Sequence, residues 1–114
     1  MKSDRLLLEA VIKYCDDILS DLSYYGYDEE IFNEENRFQH SCSFCLFQIG
    51  EYVKRLSESL KRENPQVDWR GISGLRDVIG HAYNDIRLHS IWTTMTEEVP
   101  ILREECIKIL KEIS

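Results

Sequence analysis

Residues 69–83, WRGISGLRDVIGHAY, form the stretch around which the rest of the chain is organised. Its apolar residues recur at spacings that predict a helix with one buried face. These apolar residues are Trp69, Ile72, Leu75 and Ile79. The second half of the stretch concentrates four polar side chains, Arg76, Asp77, His81 and Tyr83. Because the apolar face is buried, we expect these polar groups to project into a cleft or an interface.

The length and composition of the chain predict one globular domain spanning residues 1–114. The 114 residues are 43% hydrophobic and 31% charged, which allows a real but modest core. No apolar run approaches the roughly 20 residues that cross a bilayer, and acidic residues interrupt the N-terminal segment where a signal peptide would be apolar. We therefore expect a soluble, cytoplasmic protein with no membrane partner.

The formal net charge of -7 argues against a protein that coats nucleic acid nonspecifically, since that mode depends on an excess of Lys and Arg. A local phosphate site is compatible with this charge. A cleft that holds two or three Arg residues can be positive on an acidic protein, particularly if a dimer doubles it.

The first predicted helix begins near the N-terminus. Its apolar stripe starts after Asp4, with Ser3 or Asp4 as the N-cap, and it ends before Gly26, which we expect at positive φ. The acidic residues 28–37 follow, and they are expected to form a linker that is either a short solvated helix or a turn.

The second predicted helix follows an apolar stripe from Phe38 to Leu60 and stops at Asn64, because the residue before a proline is disfavoured in helical geometry. Phe44 and Phe47 lie off this stripe. A helix with apolar residues on a second face usually packs against two neighbours, so this helix is expected to be central or to border a subunit contact.

The last predicted helix begins near His89 or Ser90 and carries an apolar stripe to Ile113. Pro100 lies inside it, so we expect a kink or two shorter helices there. No strand pattern of period two occurs in the chain. The predicted fold class is therefore all-α, an up-and-down bundle of about four to five helices.

The cysteines fall on apolar stripes, which is typical of buried thiols, and we expect them to be reduced. Cys42 and Cys45 form a C-x-x-C, but a structural zinc site usually needs four ligands and the second pair is absent. Core thiols are therefore favoured over metal or redox sensing. The four cysteines are Cys15, Cys42, Cys45 and Cys106.

The spacing within the polar cluster restricts its geometry. Residues four apart are neighbours on a helix, so the Asp77 carboxylate can reach the His81 ring and favour its protonated form. Arg76 and His81 are five apart, about 140° around the helix. They can act on one phosphate only if the helix ends near Gly80 or a second copy of the chain completes the site.

These residue types suit cleavage of RNA without a metal. A histidine can take the proton of a 2′-hydroxyl or give one to the leaving 5′-oxygen, and an arginine stabilises the charge that develops on the phosphate. From the residues alone, a purely structural alternative stays open, in which Arg76 is part of a surface pair and His81 caps the helix.

Residues 48–102, QIGEYVKRLSESLKRENPQVDWRGISGLRDVIGHAYNDIRLHSIWTTMTEEVPIL, resemble the HepT-like toxins of the HEPN superfamily. Three features carry the resemblance: the IGE at residues 49–51, the P-x-x-x-W-R turn at residues 65–70, and the R-x4-H-x-Y motif at Arg76, His81 and Tyr83.

The resemblance implies an α-helical homodimer whose two motif copies face one cleft, and a metal-independent endoribonuclease that needs no cofactor. It also implies a minimal nucleotidyltransferase antitoxin as partner, which blocks the RNase by attaching AMP to the motif tyrosine. Carried over to this chain, Arg76 and His81 are catalytic and Tyr83 is the modification site. Asp77 matches the polar residue that often follows the arginine, and it supports the site.

Two further arginines, Arg70 and Arg87, are candidates for lining an RNA cleft. An alternative of a different class is a non-catalytic helical dimer that binds a nucleotidyltransferase partner through the motif. The acidic net charge motivates this alternative, since RNA-processing surfaces are usually basic.

Overall fold

The computed structural model describes the backbone of residues 3–81 and 88–113, and the side chains of residues 3–75 and 88–113. Within these ranges every regular element is a helix, so the predicted all-α class is confirmed. No described helix is long and apolar enough to cross a membrane. The elements are α1 (Asp4–Tyr24), α2 (Glu29–Glu34), α3 (Asn36–Arg55), α4 (Glu58–Glu63), α5 (Trp69–His81), α6 (Leu88–Thr93), a π-helical segment (Thr94–Glu98) and α7 (Val99–Ile113).

Helix α1 has the start and the end that the sequence predicts. The Ser3 hydroxyl accepts a hydrogen bond from the Leu6 N–H, which makes Ser3 the N-cap. Gly26 has a φ of 71°, as expected for the residue that ends the helix. Tyr27 adopts a φ of 55° as well, which the sequence did not indicate.

The acidic linker contains a short helix, α2, which Asp28 caps by accepting the N–H of Glu30 at 2.9 Å. This helix is more than a solvated connection, because its Phe32 side chain is fully buried. The Phe32 ring packs edge-on against Phe38, with centroids 4.9 Å apart, and lies 5.6 Å from Trp92. One apolar residue therefore docks the whole linker on the core.

The prediction of one continuous helix from Phe38 to Leu60 is wrong, because α3 ends at Arg55 and a separate α4 begins at Glu58. The break is held by Asp4, whose carboxylate accepts the Ser57 N–H at 2.9 Å and the Ser57 hydroxyl at 2.6 Å. The same hydroxyl accepts the Leu60 N–H and caps α4.

Pro100 interrupts the last helix as predicted, and the interruption takes the form of the π-helical segment between α6 and α7. The Val99 N–H bonds the carbonyl of Thr94, five residues back, and Pro100 is the second residue of α7. A proline is tolerated in the first turn of a helix, since no intrahelical partner is required for its missing N–H. The π segment thus connects α6 directly to α7, and Pro100 is accommodated in the first turn of α7.

The central position predicted for the second long helix is confirmed for α3, which packs against both α1 and α5. Helix α1 also packs against α7, so the core lies among these elements. Trp69, at the start of α5, is 7% exposed and belongs to this core. The motif helix is therefore anchored on α3 by its first turn.

An exposed ion pair joins the linker helix to α6. The Nδ1 atom of His89 lies 2.7 Å from Oε2 of Glu29. This contact raises the pKa of His89, mainly through the hydrogen bond to the carboxylate. His89 is the second residue of α6, so it lies at the helix start that the sequence predicts near His89 or Ser90.

We expect Asp4→Ala to lower the free energy of unfolding by about 1–3 kcal/mol, because it removes the acceptor for two donors of Ser57. Urea denaturation monitored by circular dichroism measures this loss. The matched control is Glu63→Ala, which removes an exposed carboxylate from the adjacent helix and should change stability by less than about 0.5 kcal/mol. Equal losses in the two variants would contradict the role of Asp4 in holding the break.

The His89 pair should make stability depend on pH. Since the folded pKa of His89 is raised, the stabilisation is fully present below its ordinary value of 6.5 and is lost as the pH rises through the folded pKa. We expect the free energy of unfolding to fall more between about pH 5.5 and pH 8.5 in the wild type than in Glu29→Gln. Parallel pH profiles for the two proteins would show that the pair contributes nothing.

Candidate active site on helix α5

The turn that leads into α5 is held by side-chain hydrogen bonds. The Asp68 carboxylate accepts the Gly71 N–H at 3.0 Å and so caps the helix. A Cβ atom at position 71 would collide with that carboxylate, so a larger residue there would require the Asp68 side chain to shift. The Trp69 indole N–H donates to the carbonyl of Asn64 at 2.9 Å. The hydrogen bonds of Asp68 and Trp69 thus stabilise the P-x-x-x-W-R turn and fix where α5 begins.

The first half of α5 has the buried face that the sequence predicts. Trp69 is buried, and Ile72 and Leu75 pack against the core. The side chain of Ile79 lies outside the described residues. Arg70 is exposed and forms no ion pair with any described residue.

The candidate catalytic residues lie on the second half of α5. The backbone of Arg76, Asp77 and His81 is part of the helix, but their side chains lie outside the described residues. Tyr83 and Arg87 lie outside the described residues altogether. Because α5 is helical from Trp69 to His81, Arg76 and His81 are about 140° apart around its axis and about 7.5 Å apart along it. Asp77 precedes His81 by about one turn.

Helical register relates Arg70 to two of these positions. Asp77 follows Arg70 by seven residues and His81 follows it by eleven, so both positions fall within about 20° of Arg70 around the axis. Arg70, Asp77 and His81 therefore lie on one line along α5. Since Arg70 is exposed, this line faces away from the core at the first turn of the helix. Arg76 lies on a different side of the helix, about 120° from Arg70.

The C-x-x-C consists of buried core thiols, as predicted. All four cysteines of the chain are free and buried. Burial raises the pKa of Cys45 and of Cys106 to about 12, and it raises the pKa values of Cys15 and Cys42 as well. No cluster of three or more His, Cys, Asp or Glu residues in the described part of the chain could hold a metal ion.

Sequence reasoning missed a groove that runs between α5 and the start of α7, called here the α5–α7 groove. It consists of two adjoining cavities of about 110 and 210 Å³ that share Asp68, Ile72, Glu98 and Leu102 in their walls. Ile101, at its edge, is 66% exposed. An apolar residue off the main stripe of α7 was the only signal for this groove in the sequence.

The helical fold and the R-x4-H-x-Y motif, which begins on α5, together indicate a class of helical ribonucleases. The family description "Ribonuclease HepT-like" matches residues 17–109. The chain therefore belongs to the HepT-like ribonuclease family, and the family suggested by the sequence is confirmed.

Similar proteins include two from Methanocaldococcus jannaschii, each named as a "putative RNase". One is 28% identical over 109 residues, which cover 96% of this chain and 88% of the relative. The other is 32% identical over 112 residues, which cover 98% and 91%. A "probable ribonuclease HepT" of Thermococcus cleftensis is 33% identical over 63 residues, which cover 55% of this chain and 57% of that protein. No solved structure gives a significant match.

We expect the native thiols to react with an aromatic disulfide reagent at least about 100-fold more slowly than the same thiols in the unfolded chain, since only an exposed thiolate attacks. The measurement is the absorbance of the released thiolate at pH 8, with and without guanidinium. Unfolding should expose four fast thiols. A thiol that reacts in the native protein at the rate of free cysteine would contradict the assignment of the C-x-x-C to the core.

Proposed function

We propose that this chain is a metal-independent endoribonuclease that serves as the toxin of a toxin–antitoxin pair. The observation that carries the proposal is the R-x4-H-x-Y motif at Arg76, His81 and Tyr83 in a chain of the HepT-like ribonuclease family. Relatives named as RNase or ribonuclease support the same activity.

The course of α5 supports an active site shared by two copies of the chain. Both catalytic positions lie on this one helix, so a single copy directs Arg76 and His81 to sides about 140° apart. In a homodimer whose α5 helices face each other across a cleft, Arg76 of one protomer and His81 of its partner approach the same phosphate. Symmetry then gives two equivalent sites in each dimer.

The reaction uses the RNA's own 2′-hydroxyl as nucleophile. Its oxygen bonds to the phosphorus, the bond from phosphorus to the 5′-oxygen breaks, and the products are a 2′,3′-cyclic phosphate and a free 5′-hydroxyl. One proton leaves the 2′-hydroxyl and one is delivered to the 5′-oxygen; His81 transfers one of them and water the other. Arg76 donates hydrogen bonds to the non-bridging oxygens and stabilises the negative charge of the transition state.

Three more residues support the proposed site. Asp77, one turn before His81, accepts a hydrogen bond from the ring and sets its orientation. Arg70 is exposed, has no described acidic partner, and lies on the same line of α5, so its guanidinium is available to an RNA phosphate. Arg87 is proposed as a second RNA contact.

Regulation of the site is proposed to pass through Tyr83. A minimal nucleotidyltransferase antitoxin transfers AMP from ATP to the tyrosine: the phenolic oxygen loses its proton to water and bonds to the α-phosphorus. The bond between the α-phosphorus and the bridging oxygen breaks, and pyrophosphate leaves with its electron pair. Tyr83 is two residues from His81, so the added AMP brings a bulky anion next to the site where an RNA phosphate would bind. Like-charge repulsion and steric exclusion then block the RNase.

The test combines metal removal with two inactive variants. Wild-type protein should cleave RNA in excess EDTA, whereas His81→Ala and Arg76→Ala should each lose at least about 100-fold in rate. After the two variants are unfolded together and refolded, about half of the dimers contain one of each chain. Each mixed dimer has one site with both residues intact, so about one quarter of wild-type activity should return.

Other outcomes would contradict the proposal in distinguishable ways. No recovery on mixing would place Arg76 and His81 of one copy in the same site, and undiminished cleavage by His81→Ala would remove the catalytic assignment. The matched control is His40→Ala, which changes an exposed histidine outside the motif and should keep activity within about twofold. Binding of a nucleotidyltransferase without any RNA cleavage would support the non-catalytic alternative that the net charge motivates.

A further inference from the structure

The α5–α7 groove has an apolar floor deep enough for side chains. Leu46 and Ile49 of α3 close its inner cavity, and Ile72 and Leu102 line both cavities. A cavity of 110 or 210 Å³ is comparable with the roughly 150 Å³ that accommodates a benzene ring. The groove can therefore take one or two aliphatic side chains.

The rim of the groove is acidic. Asp68, Glu98 and Glu105 line it, and no lysine or arginine is among the described lining residues. Asp68 accepts only a backbone N–H and Glu98 a threonine hydroxyl at 3.3 Å, so neither carboxylate is paired with a described cation. Glu105 accepts from Gln66 at 3.2 Å and lies 3.8 Å from the Lys108 ammonium. Among the described residues, at least two carboxylates of the rim thus have no cationic partner.

The edge of the groove continues onto the protein surface. Ile101 is 66% exposed next to the outer cavity, although it is a large aliphatic side chain. An exposed apolar residue that joins an apolar groove and a charged rim has the composition of a protein interaction site, with an apolar centre and a polar surround.

We propose that the α5–α7 groove binds a basic amphipathic segment of a partner protein. One or two leucine-like side chains of that segment lie on the floor between α5 and α7, and its Lys or Arg residues face Asp68 and Glu98. RNA is disfavoured as occupant because the rim carboxylates repel phosphates. A second copy of this chain is disfavoured too, since a symmetric contact would bring two acidic rims together.

This inference does not depend on the proposed RNase activity. Ile72 lies about 160° around α5 from Arg70, so the groove and the line of Arg70, Asp77 and His81 occupy different sides of the helix, whereas the position of Arg76 is about 40° from Ile72. Peptide binding and RNA cleavage are measured in different assays, so the loss of one can be observed without the loss of the other.

The probe for the test is a synthetic helical peptide of about 12 residues, with two leucines spaced four apart and lysines on the flanking positions. One control peptide has both leucines replaced by serine, and another has the lysines replaced by glutamate. We expect the probe to bind at least tenfold more tightly than either control in fluorescence anisotropy. In methyl NMR spectra of the full chain, Ile72 and Ile101 should shift, whereas Ile18, buried in α1, should not.

Glu98→Lys should weaken binding of the probe at least about tenfold, because it places a like charge at the rim. The matched control is Glu34→Lys, an equal charge change at an exposed site on α2, which should leave binding within about twofold. Circular dichroism verifies that both variants are folded. Equal affinity for the probe and its glutamate control, or equal weakening by the two variants, would overturn the proposal. A change in sedimentation caused by Glu98→Lys would also overturn it, because it would identify a second copy as the occupant.

Discussion

The need of α3 to bury apolar side chains on two sides at once determines the arrangement of the other helices. Helix α1 covers one side of α3 and α5 covers another. Helix α7 packs on α1, and Phe32 attaches the linker helix next to Phe38 at the start of α3. Burial of apolar area is non-directional, so capping contacts such as that of Asp68 are needed to fix where each helix begins.

Those parts of the fold that depend on local sequence could be predicted. Apolar periodicity gave α1, α3, α5 and α7, and the effect of Pro100 on the backbone gave the interruption of the last helix. The break between α3 and α4 could not be predicted, because its cause is a carboxylate at Asp4, 53 residues away. Docking of the linker helix was missed for the same reason, since the partners of Phe32 include Trp92 at the other end of the chain.

The candidate site also has features that local sequence predicts and features that it does not. Helical spacing correctly gave the buried side of α5 at Trp69, Ile72 and Leu75. Whether Arg76 and His81 act on one phosphate goes beyond local information, because α5 by itself places the two positions about 140° apart around its axis. The α5–α7 groove was equally out of reach, since its walls come from segments of the chain about 30 residues apart that only the packing of the helices brings together.

The burial of every cysteine has a practical consequence for work on this protein. Since Cys15, Cys42, Cys45 and Cys106 are shielded by the core, the natural chain offers almost no background for thiol-specific labels. A single cysteine placed at an exposed position of α5 can thus carry a spin label or a dye without prior removal of the native ones. Distances between labels on separate copies would then test directly whether two α5 helices face each other in solution.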